Sequence, residues 1–585
     1  MDNHRLILFA ALSIVLLLLY DAWQAQFHPP LATPPAKEIN AGNEPARNPD
    51  TPTLPTTSSG DQPHVTPLEN GGAKVAPIPE SGQNAENKGQ TASTVAQAAT
   101  PVTENVSKRV KVKTDLLHVE LDSKGADIKK VTLNKYPVTL EEPNNPLVLF
   151  TDELPNVMIT QSGFLGATKA QTVNHLVNFE VDKDSYELKE GEQNVSVSFT
   201  WKDNDGREIR KIYTFYRNKY LIDLRYEVRN SGKTDWRGQY YRQIKRNEPN
   251  KANESRFTSY AYTGAVVSRT DDPYEKVKFS DMQAWKPENA FDKGGWVAML
   301  QHYFLGAIIP APDDYNKFYT QVSKSGGEEY YIIGLLSKEV DVAPGTQASF
   351  DSKFFIGPKE QDRLEAANKN LRLTVDYTFF TVIARPLYWL LEKFHDWFGN
   401  WGLAIILVTM MVKAVFYKLS EKSFKSMAKM RKFQPKLAAL KERYGDDKQR
   451  YSQAMMELYR KEKMNPFGGC LPMLVQIPVF ISLYWVLLES VELRQAPFIL
   501  WIHDLSAKDP YFVLPLLMGI SMFVQQKLNP SLMDPMQQRV MQLLPVFFTV
   551  FMAWFPSGLV LYWVVNNILG ILQQWYITRK IEAQP

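Results

Sequence analysis

The sequence has 585 residues, enough for several domains, and a formal net charge of only +4. The near balance of charge excludes a chain that is polycationic as a whole. The single cysteine, Cys470, excludes an internal disulfide and also lipid attachment at an N-terminal cysteine.

An apolar run over residues 6–20 opens the chain, directly after His4 and Arg5. Its length suits either the apolar part of a secretory signal or a short membrane anchor. The residues after this run, DAWQAQFHPP, contain no clean small-x-small cleavage pattern. We therefore predict an uncleaved transmembrane anchor over residues 1–27, after which the chain continues outside the cytoplasm.

Residues 28–106 are rich in Pro, Thr, Ala, Asn, Ser and Gly and contain few large apolar side chains. Such a composition cannot bury enough apolar surface to offset the entropy of ordering. This segment is predicted to be a disordered linker.

Residues 107–370 have the alternating pattern of β-strands with one buried face. Asn204, Asp205 and Gly206 separate two such runs and favour a tight hairpin. The segment is predicted to be an all-β domain, mostly antiparallel, formed as a sandwich of two sheets. The apolar members of one alternating run are Tyr220, Ile222, Leu224, Tyr226 and Val228.

Residues 371–400 are predicted to contain an interfacial amphipathic helix that begins at Pro386. Leu387, Leu391, Phe394 and Phe398 fall on one face of this helix. Such a helix is expected to lie in the plane of the membrane surface and not to cross it.

Residues 401–580 are predicted to form a helical membrane core, followed by a short cytoplasmic tail, 581–585. Apolar runs cover residues 403–420, 471–488, 511–524, 543–555 and 559–575. Together with the anchor they predict six spans, and therefore a polytopic α-helical membrane protein with a β domain outside.

The charge of the loops predicts the orientation. Residues 418–463 contain fourteen Lys/Arg and six Asp/Glu, whereas residues 489–510 contain two and four. Because basic loops stay in the cytoplasm, both termini are expected inside and the β domain outside.

Residues 420–463 are predicted to form a cytoplasmic helical hairpin, with helices over 420–443 and 448–463 and a kink at Pro435. Its apolar side chains are expected to pack together across the two arms. The basic charge indicates either a solvated loop or a surface that binds anionic lipid, ribosomal RNA or an acidic nascent chain. The predicted packing residues are Leu437, Leu440, Tyr444, Tyr451, Met455 and Leu458.

Sequence signatures of catalysis are absent. The sequence contains no G-x-x-x-x-G-K-[ST], G-x-G-x-x-G, H-E-x-x-H or G-x-S-x-G motif. The eight histidines do not pair at metal-ligand spacing, and His302 is interpreted as a packed strand residue. We therefore predict no enzyme activity, no catalytic residue, no cofactor and no metal site.

Lys413 is the unusual residue of the membrane core, because it stands inside an apolar run. Its amine could extend to the headgroups near Lys418. Alternatively it could face Gln476, Asn566 and Asn567, since polar groups inside spans face one another or a wet cavity. The second interpretation predicts a positively charged, hydrated groove open to the cytoplasm.

Four segments resemble the Oxa/Alb/YidC insertase family: GNWGLAIILVTMMVKAVFY, MNPFGGCLPMLVQIPVF, SVELRQAPFILWIHDLSAKDPY and FPSGLVLYWVVNN. The segments KTDLLHVELDSKGADI and KGGWVAMLQHYF resemble the periplasmic domain of Gram-negative members. The resemblance implies a five-helix insertase core, a periplasmic β-supersandwich, and insertion and folding of proteins in the bacterial inner membrane. It places a substrate-binding groove on Lys413, Thr409, Gln476, Asn566 and Trp563.

The resemblance further implies nascent membrane proteins and the Sec translocon as partners, with the ribosome and the signal recognition particle or its receptor at the hairpin.

Two features depart from the family pattern. Lys413 replaces the usual arginine, which keeps the charge and loses the planar fork. The sequence ends in TRKIEAQP without a long basic tail, so ribosome binding would depend mainly on the hairpin.

Two other functions stay open on the sequence alone. Six spans with a shared polar site would also suit a solute transporter or channel, although no internal repeat supports it. The β domain could instead belong to a membrane-tethered protein that binds or processes carbohydrate.

Overall fold

The computed structural model describes residues 50–52, 107–249, 261–287, 291–432, 434–444, 447–461, 471–528 and 535–582. The predicted anchor, 1–27, lies outside the described residues. So does the predicted linker, 28–106, apart from residues 50–52. The described residues from 107 onwards form a β-rich domain and a helical region after it.

The β-rich domain has the alternating pattern of its sequence. Its described strands are β1 (Arg109–Lys113), β2 (Leu117–Asp122), β3 (Asp127–Pro137), β4 (Pro146–Phe150), β5 (Met158–Gly166), β6 (Glu180–Val181), β7 (Ser185–Glu187), β8 (Asn194–Lys202), β9 (Arg207–Tyr216), β10 (Leu221–Asn230), β11 (Trp236–Asn247), β12 (Gly264–Ser268), β13 (Glu275–Val277), β14 (Asp292–Lys293), β15 (Trp296–Leu300), β16 (Phe304–Pro310), β17 (Tyr315–Ser325), β18 (Glu328–Val342) and β19 (Gln347–Pro358).

The described strands form three sheets, so the prediction of two sheets was wrong in number. The orders are β4-β3-β2-β1-β7, β13-β12-β15-β16-β19-β10-β9-β8-β6 and β14-β17-β18-β11-β5. Pairing is antiparallel except between β1 and β7. The alternation of the sequence predicts which face of a strand is buried, but it does not say which strands pair, because pairing connects distant segments.

The predicted hairpin and the predicted buried face are both confirmed. Gly206 has a φ of +89° in the turn between β8 and β9, a conformation that glycine adopts without strain. On β10, Ile222, Leu224, Tyr226 and Val228 are buried. These side chains contribute to one core shared by the sheets.

A buried ion pair lies inside the β domain. Lys211 Nζ is 2.6 Å from Asp127 Oδ1, and both side chains are fully buried. The same amine donates to Gly125 O at 2.8 Å. Burial lowers the pKa of Lys211 to about 8 in spite of the carboxylate beside it. The pair therefore connects β9 to the start of β3 through fixed partners.

The helical region begins after β19. Its described helices are α1 (Gln361–Ala367), α2 (Thr381–Phe398), α3 (Trp401–Val415), α4 (Tyr417–Lys432), α5 (Gln434–Tyr444), α6 (Lys448–Lys461), α7 (Leu471–Glu489), α8 (Val513–Leu528), α9 (Pro535–Met552) and α10 (Ser557–Glu582).

The predicted interfacial helix corresponds to α2, but its start was predicted wrongly. Pro386 lies inside the helix, which begins at Thr381. The prediction relied on the preference of proline for the first helical turn, whereas Pro386 lies in the second turn of this helix. Leu387 and Leu391 are buried as expected, whereas Phe398 is exposed.

Among the described residues, no single helix combines the length and hydropathy of a membrane span, whereas Trp401–Val415 and Tyr417–Ser426 do so as a pair bent by 63°. The bend occurs at Phe416, inside the run predicted as one span. The other predicted runs coincide with α7, α8, α9 and α10, although α9 begins eight residues before residue 543.

The predicted hairpin is present as α5 packed against α6. Its first arm is divided just before Pro435 into α4 and α5, where a kink was expected. Leu440, Tyr444 and Tyr451 are half-buried, as are Met455 and Leu458. The side chain of Leu437 lies outside the described residues.

The β domain contacts the C-terminal end of α7 and the residues after it through polar groups. Lys359 Nζ lies 3.0 Å from Glu489 Oε2, with both side chains buried. His302 Nε2 lies 2.9 Å from Leu488 O, and it carries the proton because a carbonyl can only accept. Arg494 donates to Pro137 O at 2.8 Å. His302 was predicted to be a packed strand residue. It lies instead between β15 and β16, and its ring caps a carbonyl in the last turn of α7.

Glu492 is a second buried acid at this junction, in addition to Glu489. Its Oε1 accepts from the hydroxyl of Tyr388 at 2.8 Å. Burial raises the pKa of Glu492 to about 7, and the Glu360 carboxylate nearby adds to the rise. The junction thus contains an acid whose protonation changes near neutral pH.

Candidate functional site

A cavity of about 560 Å³ lies among α3, α4, α7, α8, α9 and α10. Its wall combines one cation, several amides and a group of aromatic rings, and the described residues that line it include no acidic side chain. The polar members are Lys413, Ser420, Ser423, Gln476, Gln525, Gln526, Asn566, Asn567 and Gln573.

Lys413 stands in the last turn of α3 and is half-buried beside this cavity. Its Nζ reaches α10, where a Cβ added at Gly570 would lie 3.7 Å from it. Within the described part of the chain the amine has no ion pair and no hydrogen bond. The geometry therefore matches the cavity interpretation of Lys413 and not the one in which the amine extends towards Lys418.

The position of Lys413 depends on how α3 is held at both ends. Asn400 caps the helix by accepting from Leu403 N at 2.9 Å, and its amide donates to Phe498 O at 3.0 Å. At the other end Phe416 leaves the helical conformation. After a bend of 63° at this point, Ser420 and Ser423 of α4 line the cavity.

Two side-chain hydrogen bonds fix the positions of the other amides of the cavity. Gln476 donates from Nε2 to Asn566 Oδ1, which joins α7 to α10. Asn567 donates to Ser521 Oγ of α8 at 3.0 Å. The two neighbouring asparagines therefore bind different helices, and only the first contacts the predicted glutamine.

The apolar wall consists of stacked aromatic rings. Trp563 packs edge-on against Phe480, with centroids 4.6 Å apart, and lies 5.8 Å from Phe548. Tyr562 stacks on Phe480 at 5.9 Å. Aromatic pairs in these arrangements add to the stability of a wall built from three helices.

Thr409 does not join the other predicted groove residues. It is buried, it does not line the cavity, and its hydroxyl donates to Ile405 O of its own helix at 2.6 Å. The cavity extends from Lys413 towards α4, whereas Thr409 lies one turn in the opposite direction. Thr409 is therefore not among the residues that line this cavity, and its place in the groove stays a prediction. Lys413, Gln476, Trp563 and Asn566 all line the cavity.

Several cavity residues were missed by reasoning from the sequence, among them Gln525, Gly570 and Gln573. A usable signal was present on α10, since Asn566, Gly570 and Gln573 have the helical spacing of four and three residues. Gln525 likewise comes four residues after Ser521. Searching each apolar run for such a stripe would have found them.

The outer surfaces of α8 and α9 are strongly apolar. Gly519 allows these helices to approach closely, because a Cβ there would collide with Thr549 Oγ1. A continuous apolar surface of this kind indicates contact with lipid or protein. The exposed side chains are Leu516, Leu517, Ile520, Phe523, Val524, Leu543, Val546, Phe547, Val550 and Phe551.

A larger cavity, of about 830 Å³, lies over the outer face of the nine-stranded sheet. Its charged side chains mostly pair with neighbours: Arg225 Nε lies 2.7 Å from Asp351, and Lys293 Nζ 2.8 Å from Asp313. Charges that satisfy one another on an open sheet are typical of a solvated face. The smaller cavity, with its unpaired cation, is the better candidate site.

The YidC periplasmic domain model matches residues 109–390, and the 60Kd inner membrane protein model matches residues 393–584. The chain belongs to the YidC family of membrane protein insertases. The membrane protein insertases YidC of Methylococcus capsulatus and Nitrosococcus oceani are each 47% identical to it. These matches cover the whole of this chain, with 99% and 100% of the respective relatives.

A solved structure titled as an active YidC insertase with its first transmembrane domain resolved also matches. Its identity is 18% and its TM-score 0.37, over 81% of this chain and 93% of that one. The names of the relatives agree with a non-enzymatic function for the YidC family. They do not favour the transporter or the carbohydrate-binding alternative.

Proposed function

We propose that this chain inserts and folds membrane proteins through the cavity beside Lys413. The observation that carries the proposal is a half-buried amine with no described counter-charge, in a cavity whose other polar members are amides and hydroxyls. An uncompensated cation in a weakly polar environment attracts a carboxylate more strongly than it would in water. The cavity would therefore hold an acidic polar segment of a client partway into the membrane.

The apolar part of the client has a different path. The exposed surfaces of α8 and α9 adjoin the wall that carries Phe548. An apolar helix can move along these surfaces into lipid while its polar tail stays in the cavity. Burial of the client's apolar side chains then drives the step without a nucleotide.

The topology that this mechanism needs is also proposed. The residue 1–27 anchor, the bent pair α3–α4, and helices α7, α8, α9 and α10 would cross the bacterial inner membrane, giving six spans. The basic hairpin and both termini would lie in the cytoplasm, and the β domain would lie in the periplasm. The net charge of residues 418–463 supports this orientation.

The same arrangement suggests the partners. Nascent membrane proteins would occupy the cavity, either alone or delivered beside the Sec translocon. The basic hairpin would bind the ribosome, the signal recognition particle or its receptor, and anionic lipids.

The test is insertion of a client with an acidic translocated tail into proteoliposomes that contain the purified chain. Lys413→Glu is expected to lower insertion about tenfold or more, since 1.4 kcal/mol already changes an equilibrium tenfold. Lys413→Arg keeps the charge and is expected to insert normally.

Lys418→Glu is the matched control, because this exposed lysine lies five residues further along the chain and outside the cavity. It is expected to insert the same client nearly as well as the unaltered chain. Normal insertion by Lys413→Glu would refute the role of the cavity charge.

A further inference from the structure

Gly570 lies in the interior of α10, where glycine is less favourable than alanine. A Cβ at this position would lie 3.3 Å from Gln525 Nε2 of α8 and 3.7 Å from Lys413 Nζ of α3, with no other atom within 4 Å except on its own helix and chain neighbours. Two polar side chains from different helices thus converge on one glycine.

Helix packing does not account for this glycine. Where packing requires glycine, a Cβ would collide with a neighbour, as at Gly402 with the ring of Phe498 and at Gly519 with Thr549. At Gly570 the nearest atom to such a Cβ is the end of the flexible Gln525 side chain, which would have to move only slightly to admit an alanine. The space beside Gly570 is instead bordered by the ends of an amine and an amide.

Gln525 and Gln526 differ from the other cavity amides, because neither forms a hydrogen bond with a described residue. Of the two, only Gln525 lies within 4 Å of a Cβ built at Gly570. Gln476, Asn566 and Asn567 are hydrogen-bonded to other side chains, and Gln573 donates to Tyr417 O at 3.4 Å. Gln525 forms no hydrogen bond with any described residue, and neither does Lys413. Two donors that face one space therefore remain unused within the described chain.

We propose that Lys413, Gln525 and Gly570 form a binding position for a carboxylate, which selects Asp or Glu in the client. An ammonium alone is a compact charge without a fixed direction. The amide of Gln525 supplies a second, directed N–H, so that each carboxylate oxygen can accept one bond. Gly570 leaves the room that the carboxylate occupies. This assignment rests on the proposed function, which already includes an acidic client segment, and adds two residues that bind its carboxylate.

The test compares two clients that differ only in the tail, one with Asp and Glu and the other with Asn and Gln at the same positions. Gln525→Leu is expected to lower the ratio of insertion of the acidic client to insertion of the neutral client about fivefold to tenfold. This is the usual effect of losing a hydrogen bond to a charged group. Gly570→Leu, which fills the space, is expected to lower the ratio similarly, and Gly570→Ala less.

A variant that lacks the Lys413 amine distinguishes a binding role of Gln525 from a structural role. In Lys413→Met, the further change Gln525→Leu is expected to leave the ratio unaltered, because residues that act together are not additive. Gln542→Leu is the matched control, since this exposed glutamine of α9 does not line the cavity. It is expected to leave the ratio unchanged.

Three outcomes decide between the two proposals. Equal loss for both clients in Gln525→Leu would reduce Gln525 to a packing residue and overturn the carboxylate position. An altered ratio in Lys413→Met with an unaltered ratio in Gln525→Leu and Gly570→Leu would overturn this inference and leave the proposed function standing. Full insertion of the acidic client by Lys413→Glu would overturn the proposed function itself.

Discussion

The β domain and the helical region each contain a lysine that is shielded from solvent, and the two lysines have opposite surroundings. In the β domain, Lys211 is fully buried and has both a carboxylate and a backbone carbonyl within 2.8 Å. In the helical region, Lys413 lines a cavity and has no partner among the described residues. The first arrangement satisfies the charge within the fold, whereas the second leaves the charge available for a ligand.

This contrast separates structural charge from functional charge. Removing one member of a satisfied buried pair leaves the other without a partner, and the fold loses stability. Removing a charge that has no partner leaves no other group unpaired, so the loss appears in client binding and not in stability. Stability and insertion should therefore respond in opposite ways to substitution of the two lysines.

The strongest effect on stability is expected in the β domain. Lys211→Met leaves the fully buried Asp127 carboxylate without its ion pair, and we expect the chain to lose about 3 to 5 kcal/mol of unfolding free energy. Denaturant unfolding monitored by tryptophan fluorescence measures this loss. Lys113→Met, in an exposed pair with Glu187, is the control and should cost less than about 1 kcal/mol. Equal effects of the two substitutions would contradict a structural role for the buried pair.

An intermediate effect is expected at the junction, where Glu492 is buried with the Tyr388 hydroxyl as its side-chain partner. Its pKa is raised from 4.5 to about 7, so the folded chain holds the proton more tightly than the unfolded chain. The contribution of the protonated Glu492 to the free energy of unfolding is therefore fully present below pH 4.5 and is lost as the pH rises through about 7.

Glu492→Gln removes this ionisation and should flatten the pH dependence of stability between pH 4.5 and about 7. At pH 8 the variant is expected to be more stable by on the order of 2 to 3 kcal/mol, with little difference near pH 4.5. Thermal unfolding of both chains from pH 4.5 to 8.5 tests this. Burial lowers the pKa of His302, but that residue is common to both chains and cancels in the difference. Parallel curves would show that Glu492 is not the titrating group.

The weakest effect on stability is expected at Lys413. Lys413→Met should leave the unfolding free energy within about 1 kcal/mol of the original, or raise it, since no described group loses a partner. The same variant should insert acidic-tailed clients poorly. Thermal unfolding and the insertion assay, performed on one preparation, measure both properties together. A loss of stability as large as that of Lys211→Met would show that Lys413 is a structural residue.

Local patterns in the sequence predicted much of this molecule. The period of two predicted the buried face of β10, and Gly206 predicted the turn between β8 and β9. The apolar runs predicted α7, α8 and α10 closely, and the kink expected at Pro435 corresponds to the division between α4 and α5. These features depend on residues near one another in the chain, which is why periodicity and turn chemistry suffice to find them.

The candidate site was predicted only in part. Polar residues inside apolar runs, above all Lys413 and Gln476, could be selected from the sequence because such positions are costly. Thr409 does not line the cavity, and the sequence could not show that its hydroxyl donates to Ile405 O within its own helix. Gln525 was missed because it comes directly after its predicted apolar run, 511–524, where a glutamine is not unusual.

The amino-acid sequence alone was enough to establish the division into a β domain and a helical region, the location of most helices, and the presence of a cation in an apolar run. The three-dimensional fold was needed to learn that the strands form three sheets, that the chain bends at Phe416, and that Lys413, Gln525 and Gly570 meet. The reason is that pairing, bending and convergence depend on contacts between distant segments, whereas burial and helix formation depend on the spacing of neighbouring residues.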